Sequence, residues 1–132
     1  MTIQEQAVLS ANEAFYLAFS NQDISGMEGL WSANHDITVI HPGWPALLGH
    51  HPVLSSWKRI LEGGMSPNIS CVDARANVLG DAAVVICTEL LAEVEFVATN
   101  IFVLEHGDWK MIHHQAGPLP TLNNNAEGDT LH

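Results

Sequence analysis

The sequence predicts an α+β domain in which N-terminal helices pack on one face of a strongly curved antiparallel sheet. Three observations predict it. Up to about residue 62 the apolar residues recur mostly at three- and four-residue spacing, as helices require. From Asn68 to Pro118 they alternate instead, in four runs of strand length. Gly80-Asp81 and Gly107-Asp108 separate two pairs of those runs, as hairpin turns would. Helices first and a long meander afterwards make a layered α+β domain.

The first helix carries a stripe of Ile3, Ala7, Val8, Ala11, Ala14, Phe15, Ala18 and Phe19, and Asn21-Gln22 closes it. Thr2 and Glu5 have the spacing of a capping box. Asp23 is placed to cap a second, short helix carrying Met27, Leu30 and Trp31. Residues 36–41 then read as a strand with Ile37, Val39 and His41 on one face, ended by Pro42, Gly43 and Pro45. Ala46-Leu47-Leu48 can form a short second strand. Pro52 suits the first turn of a third helix, with Val53, Trp57, Ile60 and Leu61 as its buried stripe and Gly63-Gly64 as its stop. The four later runs are 69–79, 82–93, 96–105 and 109–116. One domain over residues 1–118 is expected, followed by a polar tail over 119–132.

Composition narrows the function classes. The 132 residues include 47% hydrophobic and 14% charged, so a folded core is expected. Four Lys and Arg stand against fifteen Asp and Glu, for a net charge of −11. That balance cannot neutralise phosphates, so nucleic acid is excluded as a partner, and an anionic membrane surface with it. No apolar run approaches a membrane-spanning length, and no basic and apolar leader opens the chain; a cytoplasmic location is expected. Cys71 and Cys87 lie in apolar strand-like runs and read as free thiols. Among the eight histidines no pair has helical or strand zinc-site spacing, and no nucleotide or nucleophile-elbow motif occurs. Neither a metal nor any other cofactor is expected.

The order of motifs then carries a resemblance. A helical pair ending in Leu30-Trp31 runs into a strand and "HPGW", and Leu48-Gly49 leads to a helix with Ser56-Trp57. Gly80-Asp81 precedes a strand, and "EHGDWKMIHHQAGP" closes the pattern. Over residues 3–118 this resembles the SnoaL-like branch of the NTF2-like superfamily, which also contains ketosteroid isomerase and the association domain of calmodulin-dependent kinase II. The resemblance implies a cone-shaped α+β barrel with a ligand cavity inside, and a homodimer formed through the outer sheet face. Its members include isomerases, cyclases, dehydratases, binding domains and oligomerisation modules, and fold alone does not choose among them. The isomerases and cyclases use an acidic base inside the cone, and no motif here marks one. Many relatives end in Trp-x-x-x-His-x-His. Trp109 and His113 match, and Gln115 replaces the second histidine.

Several residues are candidates for chemistry. His41, at a strand end before the Pro42 break, could shuttle a proton or simply bond a loop carbonyl. Period two groups Trp109, Met111, His113 and Gln115 and sets Lys110, Ile112 and His114 opposite, so His113 is expected to face inward. Glu89 is a carboxylate in an apolar run: inward, its pKa would rise as a general base requires; outward, it would face solvent or pair with Arg75. Asp73 has the same ambiguity, since one residue of register swaps its face. The expected catalytic set is therefore His41, His113 and Glu89. Trp44, Trp57, Asn100 and Gln115 are the ligand-contact candidates; Trp44 is held between two prolines, and Asn100 is the polar outlier of its strand. The expected partner is a small apolar ligand. Two functions follow: cofactor-independent isomerisation, cyclisation or dehydration of a small hydrophobic carbonyl or polyketide-like compound, or a non-catalytic binding or association module.

Overall fold

The structure is a computed structural model that describes residues 1–63 and 68–120. Helix α1 (Ile3–Ser20) starts at the capping box expected from Thr2 and Glu5, whose reciprocal bonds are 2.8 and 3.0 Å. Helix α2 (Ile24–Leu30) is capped by Asp23, which accepts from the Gly26 amide at 2.9 Å. Strands β1 (Thr38–Ile40) and β2 (Leu47–Leu48) precede α3 (His50–Leu61), and four long strands follow: β3 (Ile69–Leu79), β4 (Ala82–Leu91), β5 (Val94–Glu105) and β6 (Asp108–Pro118). Gly64 and residues 121–132, where part of the helix stop and most of the tail were expected, lie outside the described residues.

One six-stranded sheet runs in the order β2-β1-β6-β5-β4-β3. The meander β3–β6 is antiparallel, as its turn signals require. The sheet as a whole is mixed, because β1 pairs parallel to β6 through Thr38–His113 and Ile40–Gln115. A parallel neighbour needs a long crossover, and here α3 and the whole meander supply it. The β5–β6 turn is His106-Gly107 rather than Gly107-Asp108, with both residues at positive φ (52° and 87°), as a two-residue hairpin of primed type demands.

The buried face of α1 differs from the expected stripe. Ile3 and Ala7 are exposed, and Val8, Asn12, Phe15 and Tyr16 face the core. An asparagine and a tyrosine thus occupy positions one helical turn apart on an apolar face. On α3 the buried residues are Val53, Ser56, Trp57 and Leu61. Phe15, Trp57, Phe102, Met27, Ile37 and Met111 are the largest fully buried apolar side chains, filling the space between helices and sheet.

Two bulges decide which residues face that space. On β6, Met111 pairs with Phe102 and His113 with Ile101, so Ile112 is an extra residue opposite no partner. The insertion shifts the alternation by one. Trp109 and Met111 point inward before it, and His114 and Ala116 after it. On β3 the register shifts between Val72 and Arg75, where Asp73 adopts φ 56° and is exposed.

Candidate functional site

Glu89, Asn100 and His114 stand on the inner faces of β4, β5 and β6, and α1 lays Asn12 and Tyr16 across them. All five are nearly or fully buried. The Tyr16 hydroxyl donates to Glu89 Oε2 at 2.6 Å. Asn100 Nδ2 donates to Asn12 Oδ1 at 2.8 Å and to Tyr16 Oη at 3.2 Å. Its carbonyl oxygen lies 2.6 Å from His114 Nδ1 and can only accept, so Nδ1 carries the hydrogen. In neutral His114 the lone pair is then on Nε2, 3.9 Å from Glu89 Oε2.

Burial sets the protonation states. Desolvation lowers His114 from 6.5 to about 3, with His41 and His113 nearby adding to the effect. The same cause raises Glu89 above its ordinary 4.5, partly countered by the Tyr16 hydrogen bond. Tyr16 is raised by desolvation and by the Glu89 charge, so it stays a donor. Glu89 and His114 therefore avoid opposite charges near neutrality. Their 3.9 Å separation brings two proton acceptors together and is not an ion pair.

Cys87 and Cys71 border this network. Cys87 Sγ lies 3.4 Å from Tyr16 Oη, and Asn12 Nδ2 lies 3.6 Å from Cys71 Sγ. Both cysteines are free, Cys87 buried and Cys71 half-buried. Tyr16 and Cys71 also line a surface cleft of about 160 Å³ between α1 and β3, with Glu13, Ile69 and Ser70 at its rim. The network thus has one end at solvent.

A second group sits across the interior. His41 is buried, and desolvation lowers it from 6.5 to about 4. Ser56 gives its hydroxyl proton to the Val53 carbonyl at 2.7 Å, so His41 Nε2 donates to Ser56 Oγ at 2.9 Å. The imidazole stands edge-on to Trp57 and Trp44, with centroids 4.8 and 4.9 Å away, and its centroid is 6.5 Å from that of His114. Trp44 is half-buried on a turn closed by its amide on the His41 carbonyl at 2.9 Å. The Arg59 guanidinium lies 5.8 Å over its ring. The Trp31 and Trp57 indole N–H groups are buried without a hydrogen-bond partner among the described residues.

Of the expected candidates, His41, Glu89, Asn100 and Trp57 converge on the interior, with Trp44 at its edge. His113 does not. It is half-buried and bonds Thr38 Oγ1 at 2.6 Å, because the Ile112 bulge gives its inward place to His114. Gln115 is exposed for the same reason. Glu89 faces inward and lies opposite Cys71, whereas the exposed Arg75 pairs with Ile86, so no Glu89–Arg75 contact forms across the sheet. Sequence patterning does not mark Asn12, Tyr16 or Ser56 as site residues, Ser56 standing out only as the neighbour of Trp57 in the family pattern. The available signal was their place among buried neighbours: Val8, Asn12 and Tyr16 follow at four-residue steps, and Ser56 stands beside Trp57. Among the described residues no group of three or more His, Cys, Asp or Glu is placed to hold a metal ion.

Helices closing a curved sheet over a buried carboxylate–imidazole network define an NTF2-like α+β protein. The model of the SnoaL-like domain matches residues 8–120, and the chain belongs to that family. A structure from Streptomyces avermitilis, described as a candidate dehydratase of the NTF2-like family, is 30% identical with a TM-score of 0.82, over 89% of this chain and 97% of that one. A second, described as a candidate calcium/calmodulin-dependent protein kinase type II association domain from Thiobacillus denitrificans, is 25% identical with a TM-score of 0.77, over 85% and 94%. The F-box protein SKIP8 of Arabidopsis thaliana is 25% identical over 114 residues, which are 84% of this chain and 49% of that protein. The chain spans about half the length of that relative.

Proposed function

We propose that this protein binds a small hydrophobic carbonyl compound and moves a proton on it without a cofactor, by isomerisation, cyclisation or dehydration. The observation that carries this reading is Glu89, a buried carboxylate with a raised pKa, 3.9 Å from the Nε2 lone pair of His114. A raised carboxylate is a stronger base than one in water, and a carbon acid next to a carbonyl needs such a base. Glu89 takes the proton. His114, fixed in one tautomer by Asn100, stays neutral beside Glu89 and so adds no positive charge that would weaken the carboxylate as a base. Tyr16 holds Glu89 in place and forms the inner wall of the cleft by which a ligand would approach. His41 and Trp57 orient the apolar body of the substrate. The candidate dehydratase among the similar structures supports the same class of chemistry.

The test is exchange of the α-protons of cyclohexanone for deuterium, followed by NMR in heavy water with and without the protein. Exchange well above the buffer rate, removed by Glu89→Gln and weakened by His114→Asn, is the expected result. Equal exchange with both variants would leave a binding module as the function.

A second reading has its own observation. The outer face of the sheet carries Val72, Ile86 and Val97, 36–43% exposed, next to Thr88 and Thr99. Such an apolar row, with Arg75 and Glu95 on the same face, supports pairing with a second copy, as the similarity to a candidate kinase association domain also favours. A homodimer is compatible with either activity.

A further inference from the structure

We infer that the Trp31 and Trp57 indole N–H groups are the binding donors for the oxygen of a neutral carbonyl ligand. This rests on the proposed function and adds what holds the substrate and which end of it lies where. Both nitrogens are buried and, among the described residues, neither has a partner. A buried donor left unpaired costs roughly 1–3 kcal/mol, so two in one interior call for a reason.

Their placement supplies it. Trp31 follows α2, and its position is set by the amide of Ser32, which donates to the Met111 carbonyl at 2.9 Å, and by a bridge between Trp31 and Met111. Trp57 is fixed separately, on α3, with Phe15 edge-on at 5.4 Å and His41 at 4.8 Å. The two indole ring centroids are 6.5 Å apart, and the Trp57 centroid is 5.7 Å from that of His114. Two tryptophans with unpaired donors, on separately anchored elements, thus have their rings side by side next to the acid–base network. An indole N–H only donates, so its partner must be an acceptor, and a carbonyl oxygen has two lone pairs and no proton of its own.

Charge selects among acceptors. The chain carries −11, Glu89 is in the same interior, and Lys58, Arg59 and Arg75 are exposed. Lys110, the fourth cation, is bound to the Gly29 carbonyl at 2.8 Å. No cation is there to compensate a carboxylate ligand, so the acceptor is a neutral ketone, aldehyde or ester oxygen. With that oxygen at the tryptophans, the adjoining C–H bonds are directed to the Glu89–His114 side. As negative charge builds on the oxygen during proton removal, the two N–H donors strengthen their hold on it.

Cyclohexanone and methylenecyclohexane differ by an oxygen against a CH₂ group at nearly the same shape, and together they test the inference. The indole N–H signals of the ¹⁵N-labelled full chain are assigned with Trp31→Phe, Trp44→Phe, Trp57→Phe and Trp109→Phe. Cyclohexanone is expected to move the Trp31 and Trp57 N–H signals downfield, and methylenecyclohexane to leave them in place. Trp57→Phe should weaken cyclohexanone binding by about three- to tenfold, as one lost neutral hydrogen bond would, without changing the affinity for methylenecyclohexane. If cyclohexanone shifts His114 and Tyr16 but neither indole, the inference fails and the proposed function stands. If both indoles show only exchange contacts with water and are indifferent to the oxygen, a buried water is their partner and the inference again fails. If no signal responds to either compound, both the inference and the reading beneath it fall.

Discussion

His114 and Glu89 project from β6 and β4, on either side of Asn100 on β5, and approach to 3.9 Å without forming an ion pair. Burial pushes the two pKa values in opposite directions, so His114 is already neutral when Glu89 ionises and the two do not carry opposite charges near neutrality.

The buried histidines predict acid sensitivity. His41 and His114 are lowered from 6.5 to about 4 and about 3, so between those values and 6.5 the unfolded chain binds more protons than the folded one. Their contribution to stability is complete above 6.5 and is lost as pH falls toward 4 and below. The loss is on the order of 1 kcal/mol per pH unit for each histidine. Urea midpoints measured from about pH 7.5 to about pH 5 should fall steadily, and His41→Gln should flatten that slope. An unchanged slope in the variant would place the effect elsewhere.

Glu89 works with the opposite sign. Its folded pKa is raised above 4.5, so its contribution is present below that value and is lost as pH rises through the folded one. Glu89→Gln keeps an acceptor for the Tyr16 hydroxyl and removes the charge. The variant should therefore match the parent near pH 5 and become the more stable protein by about pH 8, with the gap growing by on the order of 1 kcal/mol per unit above 4.5 until the folded carboxyl itself ionises. Paired urea titrations at the two pH values check this, and a variant that loses stability as pH rises would contradict it.

Asn100 predicts the cost of breaking the network. It is fully buried, donates to Asn12 and Tyr16, and accepts from His114. Asn100→Leu has a similar volume and leaves the His114 Nδ1–H and the Asn12 carbonyl oxygen without partners. A destabilisation of about 2–4 kcal/mol is expected, since each orphaned group costs roughly 1–3 kcal/mol. The His114 ring should also lose its single tautomer, which its ¹⁵N shifts would report. A loss below about 1 kcal/mol would mean that water enters and replaces the missing partner.

The element order was legible in the sequence because it rests on local signals. The Thr2 and Glu5 box, the Asp23 cap and the Gly80-Asp81 turn each act within four residues, and each appears where expected. The site was legible only in part. His41, Glu89 and Asn100 stand out as polar residues in apolar runs. Strict alternation from Trp109 points to His113 over His114, and one extra residue at Ile112 reverses that order. A bulge is set by pairing between β5 and β6, so no local pattern in β6 announces it. The parallel β1–β6 pairing joins segments more than seventy residues apart in sequence and was equally out of local reach. Tyr16 and Asn12 escape for another reason: the apolar stripe in the sequence runs through alanines, and on α1 the core face is partly polar.

The outer face of the sheet predicts the state of assembly. Ile86 on β4 pairs with Thr99 on β5, Thr88 with Val97, and Val72 on β3 with Thr88, so Val72, Ile86 and Val97 share one side of the sheet. Their side is opposite that of Val85, Cys87, Ala98 and Asn100, all buried in the interior. An exposed apolar row between threonines gains most by meeting its own copy, since a two-fold axis lets one such row cover another. Val97→Lys would set two lysines near that axis, where their mutual repulsion and desolvation outweigh the lost apolar contact. Light scattering on the eluted peak should give twice the chain mass for the parent protein and the single-chain mass for Val97→Lys. Because Val97 is 42% exposed in the single chain, the substitution should leave the fold intact, and an unchanged far-UV spectrum would establish that. A single-chain mass for the parent protein would instead make the interior network, rather than the sheet face, the whole of its function.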